Sequence, residues 1–122
     1  MRVLYVDDDP VSCLLFVETC RFAGGVEVAT AATAAQALEL VRHWTPELLV
    51  IDLHLPDLDG YRLLPALRSR LNARPPAYLC TADAATVVEG PAHAAGFDGC
   101  WTKPVDLVAV LAVLARKGSA PT

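Results

Sequence analysis

No apolar run in these 122 residues is long enough to cross a bilayer, although 54% are hydrophobic, because much of that fraction is alanine scattered among charged residues. Membrane insertion is therefore not expected. A basic amino-terminal segment leading into an apolar stretch and a small-residue cleavage site is also missing, since Met1 runs almost directly into the strand-like Arg2 to Val6. Secretion is not expected, and a cytoplasmic location is. The ten basic residues are dispersed among fourteen acidic ones, for a net charge of −4, so no basic patch suited to direct nucleic-acid binding exists. The four cysteines, Cys13, Cys20, Cys80 and Cys100, form no C-x-x-C pair, and three sit in apolar stretches; reduced, structural thiols are the expectation. There is no internal repeat. The length suits one domain with one core, read as residues 1–117, with 118–122 a polar tail or the start of a linker.

What is present is a repeated pattern. Five short apolar runs, Val3 to Val6, Val26 to Ala29, Leu48 to Ile51, Ala77 to Cys80 and Gly99 to Thr102, alternate with helical spacing. That spacing is seen in Val11, Leu14, Leu15 and Glu18, in Ala34 to Trp44, and in Tyr61 to Leu71. Strand then helix, five times, predicts an α/β fold: a parallel sheet covered on both faces. The winding expected is a doubly wound, flavodoxin-like (βα)5 sheet in the order 2-1-3-4-5. Asp9, Thr33 and Asp106 are placed to cap the first, second and last helices, with Pro10 in the first turn of the first. Gly24 and Gly96 follow helical segments, where a positive φ is often needed. Gly90-Pro91 is expected to kink or split a fourth helix over Ala84 to Ala95.

Ligands of open parallel sheets bind beyond the carboxyl ends of the strands, where the winding reverses. The residues there are Asp7 and Asp8 after the first run, Asp52 after the third, Thr81 after the fourth and Lys103 after the fifth. In the order 2-1-3-4-5 the first and third strands are neighbours, which brings Asp7, Asp8 and Asp52 together. Three adjacent carboxylates raise one another's proton affinity unless a cation compensates them. Oxygen-only ligands with open positions suit Mg2+, and Lys103 adds a further positive charge. One carboxylate is then positioned as a nucleophile toward phosphorus, with Thr81 able to donate its hydroxyl to the transferred group.

These residues carry a resemblance. Val6-Asp7-Asp8-Asp9-Pro10, Asp52-Leu53-His54-Leu55-Pro56-Asp57-Leu58-Asp59-Gly60, Thr81-Ala82 and Lys103-Pro104, in this order, resemble the receiver domain of response regulators over essentially the full chain. The resemblance implies that Asp52 is the phosphoacceptor. It also implies that Asp8, Asp52 and the backbone carbonyl of His54 bind Mg2+, that Asp7 acts through metal-bound water, and that Lys103 and Thr81 hold the phosphoryl group. The donor implied is a histidine kinase or a histidine phosphotransfer domain. The expected response is a shift of the face made by the fourth helix, fifth strand and fifth helix, where an output domain or partner protein would read it. The chain is then a signalling module that catalyses only its own phosphotransfer and autodephosphorylation, as a free-standing regulator, a phosphate sink or the receiver of a hybrid kinase. His54 and Asp83 stand where the family tunes acyl-phosphate hydrolysis, and the Lys103-Pro104 peptide where it is usually cis. One position departs: Cys100 occupies the place of the usual Tyr or Phe, so the inward swing of a ring is not carried over. The loop after Thr81, the interrupted fourth helix or Trp101 is expected to carry the signal instead.

Simpler roles fit several of these residues taken singly. Asp9, Asp57 and Asp59 read as caps or turn formers, and His43, His93 and Trp44 as solvated or packing residues near helix ends. Two other functions share parts of the pattern. A small phosphohydrolase of the haloacid dehalogenase type would use Asp7 as nucleophile, but Pro10 and the missing second acidic pair count against it. A flavin binder would share the fold, but three aspartates in the first loop would repel a flavin phosphate. A degenerate receiver serving as a binding platform is a third reading, although every residue needed for phosphorylation is present.

Overall fold

The computed structural model describes residues 1–82, 89–103 and 107–118. Its strands are β1 (Arg2–Val6), β2 (Glu27–Ala31), β3 (Leu48–Asp52), β4 (Ala77–Thr81) and β5 (Gly99–Thr102). Its helices are α1 (Pro10–Ala23), α2 (Ala34–Leu40), α3 (Gly60–Arg70), α4 (Glu89–Ala94) and α5 (Leu107–Gly118). The strands form one parallel sheet in the order β2-β1-β3-β4-β5, the flavodoxin-like winding expected from the sequence.

Alternation along the strands divides the core between the two faces of the sheet. Leu4, Val6, Leu49, Ile51 and Leu79 pack with Leu63, Leu64, Leu67 and Phe97 on the side of α2, α3 and α4. Val3, Tyr5, Leu48, Val50 and Cys80 pack with Phe16, Cys20, Val110 and Leu114 on the side of α1 and α5. All five residues of β3 are buried, as befits the central strand. Among the described residues, no helix is long and apolar enough to cross a membrane.

Three elements differ from the sequence-based expectation. β2 starts and ends later than the apolar run, pairing Thr30 with Tyr5 and Ala31 with Val6, because an edge strand can continue through polar residues. α2 stops at Leu40 rather than near Trp44: the amides of Arg42 and His43 reach back only three residues, to the carbonyls of Glu39 and Leu40, which tightens the chain into a turn. In α4, described over Glu89–Ala94, the helix runs through Pro91, and Ala95 N donates to Pro91 O. The described part of this helix is therefore unbroken at Gly90-Pro91, and residues 84–88 lie outside the described residues. So do the Asp106 cap, Pro104 and residues 119–122.

The α1 periodicity also placed its apolar residues on a helix without saying which would be covered. Phe16 and Cys20 are the buried ones, whereas Val11, Leu14 and Leu15 are 62%, 61% and 55% exposed. Asp9 caps this helix through Val11 N, and Gly24 closes it with φ of 76° and an N–H donated to Cys20 O.

Gly60, the first residue of α3, seats that helix against the end of β3. Its N–H donates to Leu53 O at 2.9 Å. A Cβ there would lie 2.7 Å from the Asp52 carbonyl oxygen and 3.1 Å from Leu53 Cα, both backbone atoms. Gly60→Ala is accordingly expected to lower stability by about 1–3 kcal/mol, read from the urea midpoint, as the α3 N-terminus is pushed off β3.

Candidate functional site

The winding reversal places the ends of β1 and β3 side by side. Asp7 is fully buried, Asp52 is 4% exposed, and Asp8 faces solvent. Each of the three offers a carboxylate oxygen within 4.8 Å of the others, so the structure brings together the acidic residues grouped from the sequence. Lys103, following β5, reaches across to this cluster. Its Nζ lies 2.7 Å from Asp7 Oδ2 and 3.1 Å from Asp52 Oδ2, and its backbone N–H donates to Thr81 O at 2.8 Å. That backbone bond ties the β5 end to the β4 end. Thr81 is itself buried, one residue beyond Cys80, the β4 partner of Asp52.

Further donors hold the cluster in place. Asp7 Oδ1 accepts from Asp9 N at 3.0 Å, while its Oδ2 accepts from the Tyr5 hydroxyl at 2.9 Å. Asp7 N donates to Ala31 O at 2.9 Å, securing the first acidic loop to the end of β2. Asp52 Oδ1 receives a longer bond, 3.3 Å, from His54 N. The His54 side chain is exposed, leaving its imidazole outside this network. Asp83 lies outside the described residues.

Burial holds the Asp52 carboxyl above the usual carboxylate range; Lys103 opposes that shift and the negative charge of Asp7 adds to it. Burial alone would pull the Lys103 ammonium down, but its hydrogen bond to Asp7 and the charges of Asp52 and Asp7 push it up on balance. Lys103 is therefore a permanent cation at neutral pH. Burial, then the neighbouring Cys80 and Asp7, push the Tyr5 hydroxyl upward, so it stays a proton donor.

Two residues have larger parts in this structure than their sequence positions announced. Tyr5 lies within β1, two residues before Asp7 and on the same strand face. A phenol inside a buried parallel strand needs a polar partner, and that need was the available signal. Asp57, read as a local cap or turn former, does cap a helix, but a distant one. Its two carboxylate oxygens accept from Ala34 N at 2.9 Å and Ala35 N at 3.0 Å, at the start of α2. These two N–H groups hold its carboxyl below the usual range. No local sequence signal marks a cap that spans 23 residues.

Asp57 therefore links the loop following Asp52 to α2. The start of α2 is secured in turn by Thr33 Oγ1 accepting from Gln36 N and by Gln36 Oε1 accepting from Ala32 N. Asp57→Ala is expected to speed amide exchange at Ala34 and Ala35 and to cost about 1–2 kcal/mol of stability. Unchanged protection at both amides would contradict the link.

Comparison with known proteins agrees with this geometry. A family model described as the response regulator receiver domain matches residues 3–115. The transcriptional regulatory protein PrrA of Mycobacterium tuberculosis is 38% identical over 127 aligned residues, covering 99% of this chain and 53% of PrrA. The chain thus spans about half the length of that relative, and two-component response regulator ORR24 of rice is matched over only 15% of its length. Among solved structures, the receiver domain of sensor histidine kinase PA1611 from Pseudomonas aeruginosa superposes with a TM-score of 0.82 at 28% identity, covering 97% of this chain and 98% of that one. That structure has a magnesium ion coordinated in its active site cleft. A CheY-like receiver domain protein from Methanospirillum hungatei superposes with a TM-score of 0.80 at 30% identity, covering 95% of this chain and 91% of its own.

Proposed function

We propose, from the premise that this chain belongs to the response regulator receiver domain family, that it takes a phosphoryl group onto Asp52 from a phosphohistidine on a histidine kinase or phosphotransfer domain. The observation that carries this reading is Lys103 Nζ held between Asp7 and Asp52, at the one place where the carboxyl ends of β1, β3 and β5 converge. In the transfer a carboxylate oxygen of Asp52 bonds to phosphorus as the bond from phosphorus to the donor's imidazole nitrogen breaks. That nitrogen keeps the electron pair and is free to take up a proton.

The donor set fits Mg2+: it is all oxygen, it is compact, and one of its carboxylates faces solvent. Asp8, Asp52 and the His54 carbonyl would hold the ion, with Asp7 acting through water. When bound, Mg2+ would neutralise phosphoryl oxygens that the three carboxylates otherwise repel. Lys103 supplies a second positive charge, and the Thr81 hydroxyl a hydrogen-bond donor to the same group. The exposed Val11, Leu14 and Leu15 on α1, the helix that starts just after Asp9, form an apolar surface on which the donor protein would rest.

Capture of the phosphoryl group by Lys103 and Thr81 then biases the α4-β5-α5 face between two arrangements, and an output domain or partner reads the difference. Trp101 of β5, stacked on Tyr78 at 4.6 Å, is the aromatic residue on this route, with Cys100 beside it. The chain acts as a signalling module and not as an enzyme with a separate substrate. The phosphohydrolase reading needs Asp7 as nucleophile, yet Asp7 is fully buried with both oxygens already accepting hydrogen bonds.

Intact mass after incubation with acetyl phosphate tests the proposal. A Mg2+-dependent gain of one phosphoryl group is expected. No gain from acetyl phosphate or from any phosphohistidine donor, at any Mg2+ concentration, would reject it.

A further inference from the structure

The buried Tyr5 hydroxyl is not used by the phosphotransfer described above, yet it bonds directly to the acidic cluster. Its ring is 1% exposed and stacks on Phe16 with centroids 4.3 Å apart and planes 10° from parallel. The ring is thereby clamped, with the hydroxyl aimed at Asp7 Oδ2 from 2.9 Å. The same oxygen is the one that Lys103 Nζ approaches to 2.7 Å. A phenol and an ammonium thus share one acceptor atom.

That sharing matters once Asp52 is phosphorylated. The new phosphoryl group draws Lys103 toward its oxygens, and Lys103 is the cation next to Asp7 among the described residues. Asp7 is fully buried, so bulk water cannot replace the departing donor. Among the described residues, what remains is Asp9 N on Oδ1 and the Tyr5 hydroxyl on Oδ2, beside the water through which Asp7 would act on bound Mg2+. Resting on the receiver reading, we propose that Tyr5 is a positioning residue whose hydroxyl keeps Asp7 hydrogen-bonded and oriented while Lys103 turns to the phosphoryl group. Without it, Asp7 Oδ2 would lose the one donor fixed by a clamped side chain and lean more on Lys103, and the lysine would be held back from the phosphoryl group.

Tyr5→Phe removes the hydroxyl and leaves the stacked ring. Two quantities separate a positioning role from a merely structural one: the urea midpoint of the unmodified chain, and the affinity for beryllium fluoride, a noncovalent phosphoryl mimic, at saturating Mg2+. Binding can be followed by tryptophan fluorescence. The midpoint is expected to move little, because Lys103 still satisfies Asp7 in the unmodified state. The mimic should bind roughly 10- to 100-fold more weakly, the scale of one hydrogen bond to a charged group. Unchanged affinity for the mimic would overturn the proposal, whatever happens to the midpoint. Should Tyr5→Phe not fold, Tyr5→Leu must show the same weakening. Wild type provides the control: if it gains no phosphoryl group and binds no mimic, the receiver reading itself fails, whereas a competent wild type matched by Tyr5→Phe rejects only the role of Tyr5.

Discussion

Replacing Asp52 by asparagine is expected to abolish the Mg2+-dependent mass gain from acetyl phosphate completely, since the carboxamide offers no anionic oxygen to phosphorus. Asp7→Asn separates this mechanism from a phosphohydrolase, in which Asp7 would be indispensable and Asp52 auxiliary. A phosphoryl group still gained by Asp52→Asn would place the acceptor elsewhere. The same variant has a second expected effect, on stability. Burial raises the Asp52 pKa in the folded chain, so this group's contribution is fully present below the unfolded value of about 3.9 and is lost as the pH rises through the folded value. At pH 7 and without Mg2+, the ionised carboxylate therefore opposes folding. Asp52→Asn should raise the urea midpoint at pH 7, and the gap from wild type should close as the pH falls toward about 4.

Lys103→Met is expected to produce the largest loss of stability among these substitutions. It removes the cation that, among the described residues, pairs with both buried carboxylates, leaving Asp7 and Asp52 to repel each other from adjacent strands. Breaking a buried pair from one side costs about 3 kcal/mol or more, because the remaining charges stay desolvated. The folded-state pKa of Lys103 is raised, so its contribution is present at neutral pH and lost only as the pH climbs from about 10.4 through the folded value. Urea titrations at pH 7 should show the deficit in Lys103→Met, and added Mg2+ should restore part of it by binding to the same carboxylates. A midpoint equal to that of wild type without Mg2+ would mean that water, and not Lys103, compensates the cluster. Phosphoryl gain should fall sharply as well, even at saturating Mg2+, because the metal does not take over the lysine's contact.

The grouping of the residues at this site was legible in the sequence because it depends on residue type and order. Runs of apolar residues separated by helical spacing require a parallel sheet, and such a sheet presents whatever follows its strands on one edge. Asp7, Asp8, Asp52, Thr81 and Lys103 could therefore be named as a group before any distance was known. Helix caps were equally readable where they act locally, as at Asp9 and Thr33.

Interactions between residues far apart in the chain were decided by the tertiary structure. Periodicity put Val11, Leu14, Leu15 and Glu18 on one helix, but only the docking of α1 on the sheet determined that Phe16 is covered while Val11, Leu14 and Leu15 are open. The length of α2 depended on a tightening turn that helical spacing does not encode. Asp57 became the cap of a helix that begins 23 residues earlier because folding carries the loop after β3 to the start of α2. The placement of Lys103 Nζ and the Tyr5 hydroxyl on the same oxygen of Asp7 has the same origin. Composition and pattern specify which groups each strand end offers; burial and strand order determine which of them share a donor, because those distances exist only once the sheet has closed over its core.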